Sequence, residues 1–181
     1  TWVENTRYVI DGPVMSSSGV SASVPVTLKL LEILVGEDMA RATAAGLGIA
    51  DWSAQHDSSR FSLDAGKVGL AAGNMLGFWR HEVLVAPVAN GFDGVAFALQ
   101  ADAWSRTYRS RLVAQNAAGN AVSHEGVIFV TETGARADAT FTPSAGPPFA
   151  ALDANLAMVS ERYGDRTAEF VAAQLEYAWR Q

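Results

Sequence analysis

Side chains able to do covalent chemistry are few in this sequence and unevenly placed. Cysteine is absent, which excludes disulfides, a thiolate nucleophile and cysteine metal sites within the chain. The densest run of hydroxyls is Ser16-Ser17-Ser18-Gly19-Val20-Ser21, just ahead of an apolar helical pattern. Such a loop can offer backbone N–H groups and hydroxyls to a polar or anionic ligand. Its hydroxyls can equally do no more than cap backbone groups. Thr1 could act as a nucleophile with its own amine as base, provided that Lys29 or Lys67 approached it. His56, His81 and His124 lack the close pairing of common metal sites, although one could meet Asp57 or Glu125 in space. Asp93 reads as an N-terminal helix acid that favours the dipole. Gly46-Leu47-Gly48 lacks the third glycine and the preceding strand of a dinucleotide fingerprint. These residues lead us to expect no metal and no cofactor.

The rest of the composition bounds what can hold those side chains. A chain of 181 residues, 49% hydrophobic and 18% charged, is long and apolar enough to bury a core of one domain or somewhat more. The net charge is −6, and the only basic grouping is Arg106, Arg109 and Arg111. Direct nucleic-acid binding is therefore not expected. The apolar run Val24–Val35 is interrupted by Lys29 and Glu32 and falls short of the roughly 18 to 20 residues of a membrane span. The opening Thr1-Trp2-Val3-Glu4 has no initiator Met and no basic or apolar leader, which reads as a mature or cut terminus. None of this fixes the compartment.

Along the chain, Arg7–Ile10, the turn Asp11-Gly12-Pro13 and Val14-Met15 read as two short strands. Ser23 stands as a helix cap with Pro25 in the first turn, and Val24, Leu28, Leu31 and Val35 recur at helical spacing. Glu37-Asp38 open a second helix after Gly36, carrying Met39, Ala42 and Leu47. Ser53–Gly66 is polar and turn-rich and reads as a linker or long loop. Beyond it, His81–Val88 reads as a buried strand, Asn90-Gly91-Phe92-Asp93 as a turn and Gly94–Trp104 as a helix. Arg109–Gln115 and Val127–Val130 read as strands separated by a turn region at Asn116–Asn120. Strand, helix and strand in that order predict a parallel crossover.

An internal repeat relates the two helical regions at an offset of 128 residues, as from Gly36 to Gly164. Val24, Leu28, Leu31, Ala40, Ala44, Ala45 and Leu47 correspond to Leu152, Leu156, Val159, Ala168, Ala172, Ala173 and Leu175. Each copy follows a loop with Ser and Gly, Ser18-Gly19 in one and Ser144-Ala145-Gly146 in the other. Both read as helix, Gly break and helix.

The stretch Arg7-Tyr8-Val9-Ile10-Asp11-Gly12-Pro13-Val14, followed by the Ser16–Ala22 loop and an apolar helix, resembles the end of a ThiJ/PfpI (class I glutamine amidotransferase-like) domain. The resemblance is to the branch that includes isonitrile hydratases and the amidotransferase-like part of some transcriptional regulators. Val83-Leu84-Val85-Ala86-Pro87-Val88-Ala89-Asn90-Gly91-Phe92-Asp93 is similar to the first strand and turn of the same fold, and Val122–Val127 fits a later strand. The resemblance thus places an end, residues 1–66 with their linker, before a reduced second unit, 67–181. It implies a three-layer α/β/α sandwich, flavodoxin-like, with a mainly parallel sheet.

Function follows only as far as the resemblance carries it. It implies that Ser16, Ser17, Ser18, Gly19, Val20 and Ser21 border a small-molecule pocket beside a reactive Cys on a strand-to-helix turn. That Cys is missing here, Ala96 stands where the family's acid aligns, and Ser23-Val24-Pro25 replaces a segment that often carries a carboxylate. The Cys and opening strands would have to come from an upstream segment or a partner chain of the same protein, and a homo-oligomer is compatible with this. The leading expectation is the non-nucleophilic part of a ThiJ/PfpI-like protein, with no complete catalytic set of its own. The alternatives are a non-catalytic sensor or assembly module and an independent hydrolase using Thr1 or a Ser.

Overall fold

The computed structural model describes residues 3–18, 20–134, 136–142 and 146–180; of Val20 only the backbone is described. Thr1, Gly19, Ser144 and Ala145 lie outside the described residues, so the candidate N-terminal nucleophile and parts of both Ser/Gly loops do too. The fold is mixed α/β, with six α-helices among the described residues, a three-stranded parallel sheet and two small antiparallel sheets. It divides into two compact units. One comprises the chain up to Ser62 together with Leu175–Tyr177. The other runs from Leu63 to Gln174 and takes in the residues from Ala178 onward.

In the first unit, β1 (Tyr8–Asp11) and β2 (Val14–Ser17) form an antiparallel hairpin with Asp11 opposite Val14. Gly12, at φ 57°, supplies the left-handed residue that so tight a reversal needs. A 3-10 turn over Val20–Ala22 leads into α1 (Ser23–Val35), and Gly36 separates it from α2 (Glu37–Leu47). Ser23 is therefore inside the helix rather than its cap. Ala22 occupies the capping position without a side-chain bond, because the preceding 3-10 turn already feeds the helix. Ala40 and Ala44 are the buried residues of α2, and such small side chains let two helices approach closely. On α1, Leu28 is buried, Val24 and Leu31 are half-buried, and Leu34 is 72% exposed.

The segment expected as a linker is more ordered than its polarity suggests. Asp57 accepts the Ser59 N–H and caps a 3-10 turn over Ser58–Phe61. Asp64 accepts the Lys67 N–H and opens α3 (Ala65–Leu76) in the second unit. The capping acids were present in the sequence, but three glycines and three alanines among the twelve residues of α3 weaken its apolar period.

The second unit is built on β3 (Glu82–Pro87), whose Leu84, Val85 and Ala86 are buried, as befits the central strand of a parallel sheet. β3 continues through a turn into α4 (Gly94–Ser105) and returns as β4 (Ser110–Gln115), parallel to β3 with Glu82 opposite Ser110. The expected crossover is present. Its third strand is not Val127–Val130: β7 (Ala139–Thr140) flanks β3 on the other side. Ile128–Val130 is β6, which pairs with β5 (Asn120–Val122) in a separate antiparallel hairpin. Ser123–Gly126 is the turn between these two strands, so the strand expected over Val122–Val127 is broken there. Gly126, at φ 82°, and a bond from its N–H to Ser123 O close that turn.

Helices α5 (Pro148–Tyr163) and α6 (Asp165–Gln174) complete this unit. Leu152, Leu156 and Val159 of α5 are fully buried, each stabilising the core by roughly 1.5 to 3 kcal/mol. Trp104 meets Phe141 and Tyr163 edge-on at 6.0 and 5.7 Å. The breaks between the paired helices share one geometry. Gly36 lies at φ 113°, ψ 159° and Gly164 at φ 90°, ψ 154°, and their N–H groups donate to Glu32 O and Ser160 O.

Candidate functional site

The serine loop in the first unit is anchored from below by polar contacts of its hairpin. Tyr8 is buried, and its hydroxyl donates to Trp52 O at 2.9 Å. The Trp52 Nε1–H in turn donates to Glu32, which pairs with Lys29. Burial pushes the Tyr8 phenol up more than the nearby Lys29 charge lowers it. The hydrogen bonds from Lys29 and Trp52 hold the Glu32 carboxyl below its ordinary value. Lys29 is thus committed to Glu32. The Ser18 N–H donates to Arg7 O at 2.8 Å and closes the hairpin.

Above this base, Ser16, Ser17 and Ser18 line a hollow of about 160 Å³ with Thr6, Tyr8 and Val9. Ligand pockets usually enclose about 300 to 1,000 Å³. The hollow therefore has room for part of a small molecule only, and its three hydroxyls could hydrogen-bond the polar end of one.

Ser21 does other work. Its hydroxyl donates to Glu176 Oε2 at 2.9 Å, and His56 Nε2 lies 2.9 Å from that same oxygen, forming an ion pair when the imidazole is protonated. The His56 side chain is almost wholly buried and stacks on Phe61 at 5.4 Å. A serine, a carboxylate and a histidine are thus brought together, but with the carboxylate in the middle. In a nucleophilic triad the imidazole must sit between, so that it can take the hydroxyl proton. Here Ser21 faces a carboxylate, so the group orders the chain rather than activating a nucleophile. Glu176 is 155 residues from Ser21, and no local pattern announces the pairing.

A second cluster stands beyond the end of β3, where open α/β sheets commonly place ligands. Asp93, expected as an N-terminal helix acid, is the N-cap of α4: its Oδ1 accepts the Ala96 N–H at 2.7 Å. Glu125 reaches the same helix end from the β5–β6 turn and accepts the Gly94 and Val95 N–H groups at 3.2 and 3.3 Å. Desolvation opposes its ionisation, yet bonds from Ser123, from its own N–H and from Gly94 and Val95 together bring the carboxyl down to about 2. Close approach here requires Gly94. A Cβ on it would lie 2.9 Å from Glu125 Oε2 and 2.9 Å from the Ser123 Cβ.

His124 Nε2 is 3.5 Å from Glu125 Oε1, and donor atoms of Asp93, His124 and Glu125 all lie within 4.8 Å of one another. A tetrahedral ion with ligand bonds near 2.1 Å needs them about 3.4 Å apart. It would also compete with the helix N–H groups for both Glu125 oxygens. The arrangement therefore acts foremost as a double cap on α4.

Other sequence candidates have structural partners. His81 Nε2 lies 3.0 Å from Asn74 O. Gly48 is the left-handed C-cap of α2, at φ 79° and ψ 27°, which accounts for one glycine of Gly46-Leu47-Gly48. Among the described residues no helix is long and apolar enough to cross a membrane. No family model, curated protein or solved structure matches this chain.

Proposed function

We propose that this chain is the non-nucleophilic part of a ThiJ/PfpI-like protein, lining a small-molecule pocket whose Cys nucleophile comes from an upstream segment or a partner chain. The complete protein would then be a flavodoxin-like three-layer sandwich, and the two helix pairs the ends of related units. One observation carries the reading. In the first unit, a 13-residue helix rests beside a two-stranded hairpin and leaves Leu30, Ile33, Leu34 and Val35 exposed. A helix of the outer layer in such a sandwich would cover further strands with that face. The small size of the Ser16–Ser18 hollow supports the same reading, since a pocket shared with missing strands would be partial in this chain. The matching geometry of Gly36 and Gly164 favours the relation between the helix pairs.

An assembly module is the second reading, and the double cap on α4 favours it. Asp93 and Glu125, the acids at the start of α4, are both occupied by backbone N–H groups. The test compares the 181-residue chain with a longer chain carrying the sequence encoded upstream, by light scattering and unfolding. The short chain is expected to self-associate and the longer one to be monodisperse, with Leu34→Asp disrupting the longer one. Thiol-dependent turnover in the longer chain supports the enzyme, and an upstream segment without Cys supports the module. A 19.1 kDa monomer of the short chain that unfolds cooperatively would overturn the proposal.

A further inference from the structure

A larger cavity, about 340 Å³, opens in the second unit at the N-terminal ends of β3 and β4, the opposite end of the strands from the capped turn. Its volume falls within the range of small-ligand sites. Met75, Val83 and the Tyr108 ring give it apolar walls, and Glu82, Ser110 and Arg111 give it polar ones.

The charges there are not balanced. Glu82 is already held by the Arg162 guanidinium, at 2.7 and 3.0 Å, and by the Tyr163 hydroxyl. Arg109 lies over the Tyr163 ring at 4.3 Å. The Arg111 side chain has no hydrogen-bond or ion-pair partner among the described residues, and Arg111 is exposed at the cavity. The free charge of the site is therefore positive.

The walls are also held in place. Tyr108 adopts φ 54°, a left-handed conformation that a bulky side chain rarely takes and that surrounding structure must enforce. Thr107, fully buried, enforces it: its hydroxyl donates to Trp104 O and accepts the Arg109 N–H. Asn74 Nδ2 donates to Thr107 O at 3.0 Å, while His81 Nε2 donates to Asn74 O. A carbonyl can only accept, so the His81 proton sits on Nε2.

We propose that this cavity binds a small organic monoanion with an apolar body, such as an aryl or short-chain carboxylate, with Arg111 as its charge partner. The apolar walls take the body, and the planar fork of Arg111 suits a carboxylate. A polyanion is disfavoured, because the cavity offers one unpaired guanidinium and its lining also includes the Glu82 carboxylate. This site shares no lining residue with the serine hollow and does not depend on the function proposed above.

The test is titration of the isotopically labelled 181-residue chain with benzoate and hexanoate, with benzamide and inorganic phosphate as controls. Saturable amide shifts are expected at residues 81–83 and 108–111 with the carboxylates, and much weaker ones with the controls. Arg111→Gln, at an exposed and unpaired position, is expected to keep the fold and to weaken carboxylate binding by about tenfold to 100-fold. Met75→Asn should weaken hexanoate by a smaller factor. Absence of saturation, equal binding of benzamide, or full affinity in Arg111→Gln would overturn the proposal. So would shifts at these amides that follow protein concentration alone, since a second copy would then fill the cavity.

Discussion

Replacing Glu125 by Gln tests whether a residue far along the chain holds the start of α4. The wild-type carboxylate accepts two N–H groups from Gly94 and Val95 and ionises at about 2, against an ordinary value of 4.5. At face value that difference corresponds to about 3.4 kcal/mol. The side chain is 28% exposed, and solvent screening reduces the expected loss to about 1 to 2 kcal/mol at pH 7. The sign follows from the direction of the shift. A carboxyl whose folded-state value is lowered stabilises the fold above about pH 4.5, and that contribution fades as the pH falls toward 2. Urea unfolding of both proteins at pH 7, 5, 3 and 2 should therefore show a gap that closes on acidification. Hydrogen exchange at Gly94, Val95 and Ala96 places the loss at the helix start, with faster exchange in the variant at pH 7. Equal stability at pH 7, or two pH curves running parallel down to pH 2, would refute the capping role.

Three further substitutions probe the backbone. Gly94→Ala would usually favour a helix, but its Cβ would collide with Ser123 and Glu125, so calorimetry should show a loss of about 1 to 3 kcal/mol; a neutral or stabilising result would mean that the β5–β6 turn is not seated there. Gly36→Ala and Gly164→Ala each force a side chain into a conformation reserved for glycine, and each should cost about 1 to 3 kcal/mol by denaturant unfolding. A cost at one position and none at the other would remove the equivalence of the two breaks.

Much of the chain's local structure was legible from residue types alone. Tyr8–Asp11 and Val14–Ser17 around Gly12, the helices flanking Gly36 and Gly164, and the acid Asp93 at the start of α4 all depend on neighbours within a few residues. So did the β3–α4–β4 crossover, because the apolar run Val83–Val88 marks a buried strand and the spacing to β4 demands a helix between. The absence of Cys by itself excludes thiol chemistry within this chain.

Tertiary structure decided whatever rests on partners distant in sequence. Which strand flanks β3 was settled by pairing with the two-residue β7, too short to show a period, while Ile128–Val130 turned to β5 across a turn closed by Gly126. Ser21, one of six adjacent candidates, was drawn to Glu176 and His56, whereas Ser16, Ser17 and Ser18 lined a hollow. Glu125 and Gly94 are 31 residues apart, and their contact follows from the seating of Phe129 against Phe92 and Phe97 at 5.0 and 5.9 Å. Side-chain chemistry and short-range periodicity are properties of the string itself; which hydroxyl meets which carboxylate depends on how the packed elements bring separate stretches together.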